Sequence, residues 1–371
     1  MKKTYKYRLH ANCQTVANAE QWLWLCRRLY NAALEQRITA YKQGRHTLSA
    51  YDQSNELIDL KAAFPEYRDV GSQVLQGVLE RLNLAYKAFF RRVKSNHGKG
   101  GFPRFKGRNR YNSFTLKQVG WKLDGKYLTI RNVGRFKLRL SRAIEGDIKT
   151  VTICRAPTGK WYACFSCDNV PERYLAPSDK AVGIDVGLKA FVVDSDGGKV
   201  EPPRVLREAE AILRRKQHKL SRRVKGSNRR RKARVLVAKA HEKVKNQRND
   251  FLHKTANYYI ANYGLIAIED LRIQNMVQNR HLSKSISDSA WGQFFVYLDY
   301  KAAEAGRIVV KVSPRDTSQN CSSCGVKVPK TLAVRVHACP NCGLVLDRDE
   351  NAAINIKAAG QAVQELTYAI A

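Results

Sequence analysis

Two C-x-x-C pairs, Cys321/Cys324 and Cys339/Cys342, stand 14 residues apart, and the second runs almost directly into the acids of LDRDENAAINI. No other feature constrains the fold so tightly, because four thiolates at this spacing are expected to converge on one point. The gap is slightly under the usual range for a C-x-x-C ribbon, and close to it. Four thiolates suit a closed, tetrahedral, structural Zn2+ site with no open position for water. Two reducible disulfides are the alternative use of the same residues. His337 is close by, but four cysteines fill the shell without it.

The chain has nine cysteines, an odd number that suits a reduced compartment better than a disulfide framework. Cys13, Cys26 and Cys154 are scattered and read as small buried side chains. Cys164 and Cys167 repeat the C-x-x-C spacing, but inside WYACFSCD, which alternates like a strand and so turns the two sulfurs to opposite faces. With 67 Lys+Arg against 32 Asp+Glu, the net charge of +35 calls for a polyanion or a membrane surface. No run approaches the roughly 18 apolar residues of a membrane-spanning helix. The start, MKKTYKYRLH, has no apolar signal core, so secretion is not expected. A nucleic acid in the cytoplasm is the expected partner. No G-x-x-x-x-G-K-[ST] loop is present, so no ATP requirement is indicated.

At 371 residues the chain is long enough for two or three domains. Residues 3–9 alternate like a short strand. From about Gln14 to Lys94 the apolar spacing is helical, with Gly44 closing the first helix and a second in SQVLQGVLERLNLAYKAFFRRV. Residues 113–170 carry short alternating runs, which predicts an antiparallel β module that recruits the N-terminal strand. AVGIDVGLKAFVVDSDGG then reads as a buried strand, a turn and a hairpin strand. Residues 204–262 are helical and basic, LIAIED is a buried strand, SDSAWGQFFVYLDYKAAEAG a helix with a glycine stop, and RIVVKVS a strand. The cysteine ribbon and a helix in NAAINIKAAG follow.

Two of these strands end in a carboxylate, Asp185 in GIDVG and Glu269 in LIAIED. A third acid, Asp347 or Asp349, lies just before the last helix. Carboxylates at the carboxyl ends of buried strands converge on one crevice. Three of them together would repel unless cations sit between them. Phosphodiester chemistry with two Mg2+ ions roughly 3.5–4 Å apart needs such a set. A lone Asp after a strand is more often a turn or helix cap, so the weight rests on the order: strand, hairpin, helices, strand, helix, strand, helix, with acids on the first strand, the fourth and the last helix. That is the order of an RNase H-like nuclease.

These motifs resemble the TnpB (OrfB) proteins of bacterial insertion sequences, relatives of type V CRISPR effectors. The likeness is carried by GIDVGLKAFVV, IAIEDL, the SDSAWGQF…LDYKA helix, SPRDTSQNCSSCG and CPNCGLVLDRDENAAINI, and continues through YKYRL, LYNAAL, FPRFKGR and SFTLK. The resemblance implies an α+β multidomain chain: an RNase H-like (RuvC) core split by a zinc ribbon, and an N-terminal β-barrel (wedge) module with a helical insertion. The expected boundaries are 1–12 for the first barrel strand, 13–100 for the recognition insertion and 101–178 for the barrel. The nuclease takes 179–320, the ribbon 321–343, and the last nuclease part with the tail 344–371.

The resemblance further implies an RNA-guided DNA endonuclease, with a guide RNA from the element's own locus and a double-stranded DNA target beside a short flanking motif. It gives the catalytic Mg2+ positions to Asp185, Glu269 and Asp349, rather than Asp347, and the guide and flanking-motif contacts to the N-terminal parts, where Gln73, Gln76 and Thr115 are polar candidates. The basic loop Lys99–Arg110 offers Arg104, Lys106 and Arg108 beside Phe102 and Phe105, as single-strand binding uses. The densest cationic segment offers Arg222, Arg223, Arg230 and Arg231, on helices whose Leu213, Leu220 and Val235 should face a core. Association with the nucleoid is expected. An unguided transposase and a non-catalytic zinc-ribbon regulator are the rival readings.

Overall fold

The computed structural model describes residues 1–95, 100–331 and 333–370, with side chains as far as 366. Lys99, the first residue of the basic loop, lies outside the described residues. Contacts divide the chain into two compact units, Met1–Pro171 and Glu172–Ala371.

The first unit opens with β1 (Lys3–His10), whose alternation buries Tyr5, Tyr7 and Leu9. Asn12 caps α1 (Cys13–Gly44): its side chain accepts the Thr15 N–H at 2.8 Å. Helix α1 buries Trp22, Cys26, Leu29, Ala33 and Leu34 along one stripe. It stops at Gly44 as the sequence suggests, but the residue that turns left-handed is Arg45, at φ 54°. Short helices α2 (Ala50–Asn55) and α3 (Leu57–Ala63) lead into α4 (Ser72–Lys94).

Six strands follow: β2 (Ser113–Leu116), β3 (Trp121–Asp124), β4 (Tyr127–Ile130), β5 (Gly134–Arg139), β6 (Asp147–Arg155) and β7 (Trp161–Asp168). With β1 they form one antiparallel sheet in the order β2-β6-β7-β1-β5-β4-β3, open at two ends and so a half-barrel. On β7, Cys167 is buried and Cys164 only partly so, on the opposite face. Cys26 is buried, but Cys154 is only partly so and Cys13, in the first turn of α1, is exposed, so the reading of all three as buried holds for one.

The second unit carries β8 (Ala181–Asp185), β9 (Val192–Asp194), β10 (Lys199–Val200), α5 (Val205–Ser221), α6 (Asn228–Asn262) and β11 (Leu265–Glu269). Then come α7 (Ile273–Met276), α8 (Ser283–Ser289), α9 (Trp291–Ala305), β12 (Ile308–Val312), β13 (Val336–Ala338), β14 (Val345–Asp347) and α10 (Arg348–Ile370). The main sheet runs β10-β9-β8-β11-β12, with β8, β11 and β12 parallel and β9 antiparallel to β8. Val182, Ile184, Ile266 and Ile268 point to one face and pack on α6 and α9. Ala267 and Val312 point to the other and meet Ile356 of α10. Gly183 is needed there, because a Cβ would stand 2.0 Å from the Ala353 carbonyl oxygen of α10. Leu213 of α5 and Val244 of α6 form a small core of their own, while Leu220 and Val235 are only partly buried.

The predicted helix around Trp291 is two helices. Ala290, left-handed at φ 56°, separates α8 from α9. Ile286 and Trp291 are both 3% exposed in the same core. Five residues along an unbroken helix would turn them about 140° apart, so the break is what lets both face inward. Among the described residues no helix is long and apolar enough to cross a membrane.

Candidate active site and four-cysteine cluster

Strand pairing brings the first two acids together. Ile184 of β8 lies beside Ile268 of β11 in a parallel register, so Asp185 and Glu269, the next residues, end the strands at one edge. With Ile184 and Ile268 facing α6 and α9, the alternation turns both acids toward α10. Asp349 is the second residue of that helix. Burial, and then the charges of Glu269 and Asp349, push the Asp185 carboxyl up to about 7. Burial also raises Glu269, against a hydrogen bond from the Thr317 hydroxyl to its Oε1 at 2.7 Å. Asp349 is held by Arg348 at 2.8 Å and Arg335 at 3.4 Å.

Asp347 behaves differently. Its Oδ1 accepts the Asp349 N–H at 2.8 Å, as a helix cap does, and its Oδ2 pairs with Lys199 Nζ at 3.1 Å. Although burial would raise it, the Asp349 N–H and Lys199 together hold its carboxyl below the usual range.

A raised Asp185 has a consequence for stability. The folded state holds this proton more tightly than the unfolded chain, so its contribution is complete below the unfolded value near 4 and is lost as the pH climbs through about 7. Metal-free wild type should therefore fall behind Asp185→Asn in melting temperature by a few degrees between pH 5 and pH 8. Differential scanning fluorimetry across that range checks it. A constant difference between the two proteins would mean that Asp185 is not perturbed.

The four cysteines converge from two matching knuckles. Gly325 N–H returns to the Cys321 carbonyl at 2.9 Å and Gly343 N–H to that of Cys339 at 3.0 Å, with both glycines left-handed, at φ 74° and 73°. Sγ of Cys321 lies 3.6 Å from that of Cys342, and Sγ of Cys324 3.6 Å from that of Cys339. All four ligand atoms lie within 4.8 Å of one another, the only such group of three or more His, Cys, Asp or Glu among the described residues. Tetrahedral Zn–S bonds of about 2.3 Å place sulfurs about 3.8 Å apart, so the set fits. Hydrogen bonds from Asn341 and the Val326 N–H push the Cys324 thiol down to about 6, toward the thiolate a metal needs. His337 is fully buried but contacts Lys330 instead of joining the cluster.

The proposed nucleic-acid residues divide between exposed and engaged. Arg104, Arg108, Arg222, Arg231 and Gln76 are exposed. Lys106 is fixed through its backbone by Asn31, at 2.7 and 3.0 Å, with its ammonium 5.2 Å from the Tyr30 ring centre. Arg230 donates to the carbonyls of Leu220 and Arg223 at 3.0 and 2.7 Å, closing the end of α5, and Arg223 is partly buried in the same turn. Gln73 accepts the Gln118 N–H at 3.3 Å, and Thr115 shares a hydrogen bond with Thr152 at 2.9 Å.

Sequence reasoning missed Thr317, Arg335, Arg348, Asn351 and Asn355. The asparagines had a signal, since two of them four apart in a helix are a poor choice for propensity and share one face. Thr317 and Arg348 stand inside two of the motifs that carry the resemblance, but nothing in their type or spacing pointed to the acids, and Arg335 had no signal.

Three family models match: "Probable transposase" (OrfB_IS605) over residues 165–280, "Cas12f1-like, TNB domain" over 291–356, and "Helix-turn-helix domain" over 1–46, where the structure has β1 and α1. A Streptomyces pristinaespiralis protein named "Putative RNA-guided DNA endonuclease" is 33% identical, over 98% of this chain and 90% of its own length. The chain belongs to the TnpB family. Another relative, from Escherichia coli K12, is named "Putative RNA-guided DNA endonuclease InsQ" and is 31% identical over 97% of this TnpB protein and 93% of its own length. The solved mini-RNA-guided endonuclease CRISPR-Cas_phi3 shares the fold at a TM-score of 0.51 and 10% identity, covering 97% of this TnpB chain and 92% of that one.

Proposed function

We propose that this TnpB protein is an RNA-guided DNA endonuclease of a transposable element. The carrying observation is the meeting of Asp185 and Glu269 at adjacent strand ends, with the charge of Asp349 felt at Asp185, inside a chain of net charge +35. Relatives over 97–98% of its length bear that activity in their names, which supports the same reading. The sheet order β10-β9-β8-β11-β12, with a parallel β8, β11 and β12, supports an RNase H-like (RuvC) nuclease from 179 to 371, interrupted by a ribbon at 321–343. Residues 1–178 would then be the wedge barrel and its helical insertion.

Burial and the charges of Glu269 and Asp349 raise the proton affinity of Asp185, a repulsion that a divalent cation would relieve, and Asp185, Glu269 and Asp349 would hold Mg2+. Two such ions would activate the attacking water and stabilise the leaving oxygen. Arg335 and Arg348 neutralise Asp349 meanwhile. Cys321, Cys324, Cys339 and Cys342 would hold a structural Zn2+. Exposed Arg104, Arg108, Arg222 and Arg231 are free to meet phosphates of the guide and target. The cytoplasm, at the nucleoid, would be its place.

Sixty-seven cationic side chains exceed what a short duplex would engage, since a duplex-binding protein makes about 6–10 phosphate contacts. A long structured RNA uses more of that surface, and base pairing then takes over the reading of sequence. Expressed with its flanking locus, the protein should copurify with one discrete RNA, and changing the guide end should redirect cutting. RNA-free protein that cuts the same DNA with the same preference would make it an unguided transposase instead.

A further inference from the structure

The loop between β12 and the first cysteine pair reaches the acids through one hydroxyl, that of Thr317, which donates to Glu269 Oε1 at 2.7 Å. Helix α10 holds this loop from behind. Asn355 Nδ2 donates to the carbonyls of Thr317 and Asn320, both at 2.8 Å. Asn351, fully buried, donates to the Asn320 carbonyl at 2.8 Å and accepts the Ser322 N–H at 3.0 Å. Ser322 lies within the first cysteine knuckle. A run of hydrogen bonds therefore joins the knuckle, through two asparagines of α10, to the carboxylate of Glu269.

We propose that Thr317 is a positioning residue, whose hydroxyl orients the Glu269 carboxylate for a divalent cation and whose own place is set by the four-cysteine ribbon. The inference rests on the metal-holding role given to Glu269 above. The last torsion of a glutamate is broad and roughly two-fold, so an unassisted carboxylate at a strand end would sample many orientations. One donor on Oε1 removes that freedom and leaves Oε2 for the cation. Partners of metal-binding carboxylates are worth about 10–100-fold in metal affinity. The ribbon metal would thus govern the acids at a distance, with no shared ligand.

Thr317→Val keeps the shape and removes the donor, while Thr317→Ser keeps the donor. Mn2+ binding to the full-length protein, followed by loss of the free-ion EPR signal and defined as the binding that Asp185→Ala removes, should weaken by about tenfold or more in the valine variant. The serine variant should stay within about twofold of wild type. Guided cleavage should show the same shift in the metal concentration for half-maximal rate. Stripping the ribbon with a zinc chelator should weaken Mn2+ binding in wild type and weaken it by a smaller factor in Thr317→Val, because part of the ribbon's effect runs through that one bond. Valine protein that binds Mn2+ like wild type would overturn the proposal, and additive effects of chelation and valine would overturn the link to the ribbon. Wild type that neither binds Mn2+ at the acids nor cuts under a guide would instead sink the functional reading.

Discussion

Alanine at Asp185, Glu269 or Asp349 is expected to lower DNA cleavage by about 10³-fold or more, equivalent to about 4 kcal/mol of lost transition-state stabilisation. Nucleic-acid binding should survive each change, because these side chains would hold metal while the cationic surface holds the polymer. Folding should survive as well. Asp185 is pushed up by burial and by two neighbouring charges, so removing any one carboxylate relieves repulsion in the metal-free protein. Asp347→Ala makes the contrast. It loses a helix cap, worth about 0.5–2 kcal/mol, and the Lys199 pair, and should cut DNA. The measurement is cleavage of a matched plasmid at fixed guide and Mg2+. An active Asp349→Ala beside a dead Asp347→Ala would move the third ligand to Asp347, and cleavage that persists in EDTA would remove the metal mechanism.

The strands of this site were legible for a simple reason. VGID and LIAIE are short apolar runs closed by an acid, and a run of that kind has few homes other than a buried parallel strand. Which of Asp347 and Asp349 faces the others was not legible from spacing, since both lie within one turn of the helix start. The difference appears only when Asp347 spends its oxygens on the Asp349 N–H and Lys199. The break at Ala290 was hidden because alanine carries no signal of a left-handed turn, and what forces it is that Ile286 and Trp291 share one core. Arg45 ends α1 in the same unannounced way, one residue beyond the glycine. Polar residues inside a helix read as surface, so Asn351 and Asn355 were passed over, although their partners are carbonyls and an N–H of a distant loop.

Cys339→Ser should release most of the bound zinc and lower the melting temperature of the full-length protein by about 10 °C or more. Structural zinc in small sites contributes about 10–16 kcal/mol at neutral pH, which is as large as the whole net stability of an ordinary domain, about 5–15 kcal/mol. Only part of that is lost when one thiolate becomes a hydroxyl, but each kcal/mol moves the melting temperature of a unit this size by about 2–4 °C. The loss should reach the acids, because the Arg348 N–H donates to the Arg335 carbonyl at 2.7 Å and Asn351 holds the Ser322 N–H, so the ribbon anchors the first turns of α10. Cys342→Ser should be milder. Cys339 is buried and no water can replace its sulfur, whereas Cys342 is exposed and water can fill the fourth position. Cys164→Ser should leave zinc unchanged, since its sulfur is not one of the four that converge. Elemental analysis and thermal melts of the reduced proteins decide the matter: wild type without zinc would overturn the assignment, and equal losses from Cys339→Ser and Cys342→Ser would overturn the role given to burial.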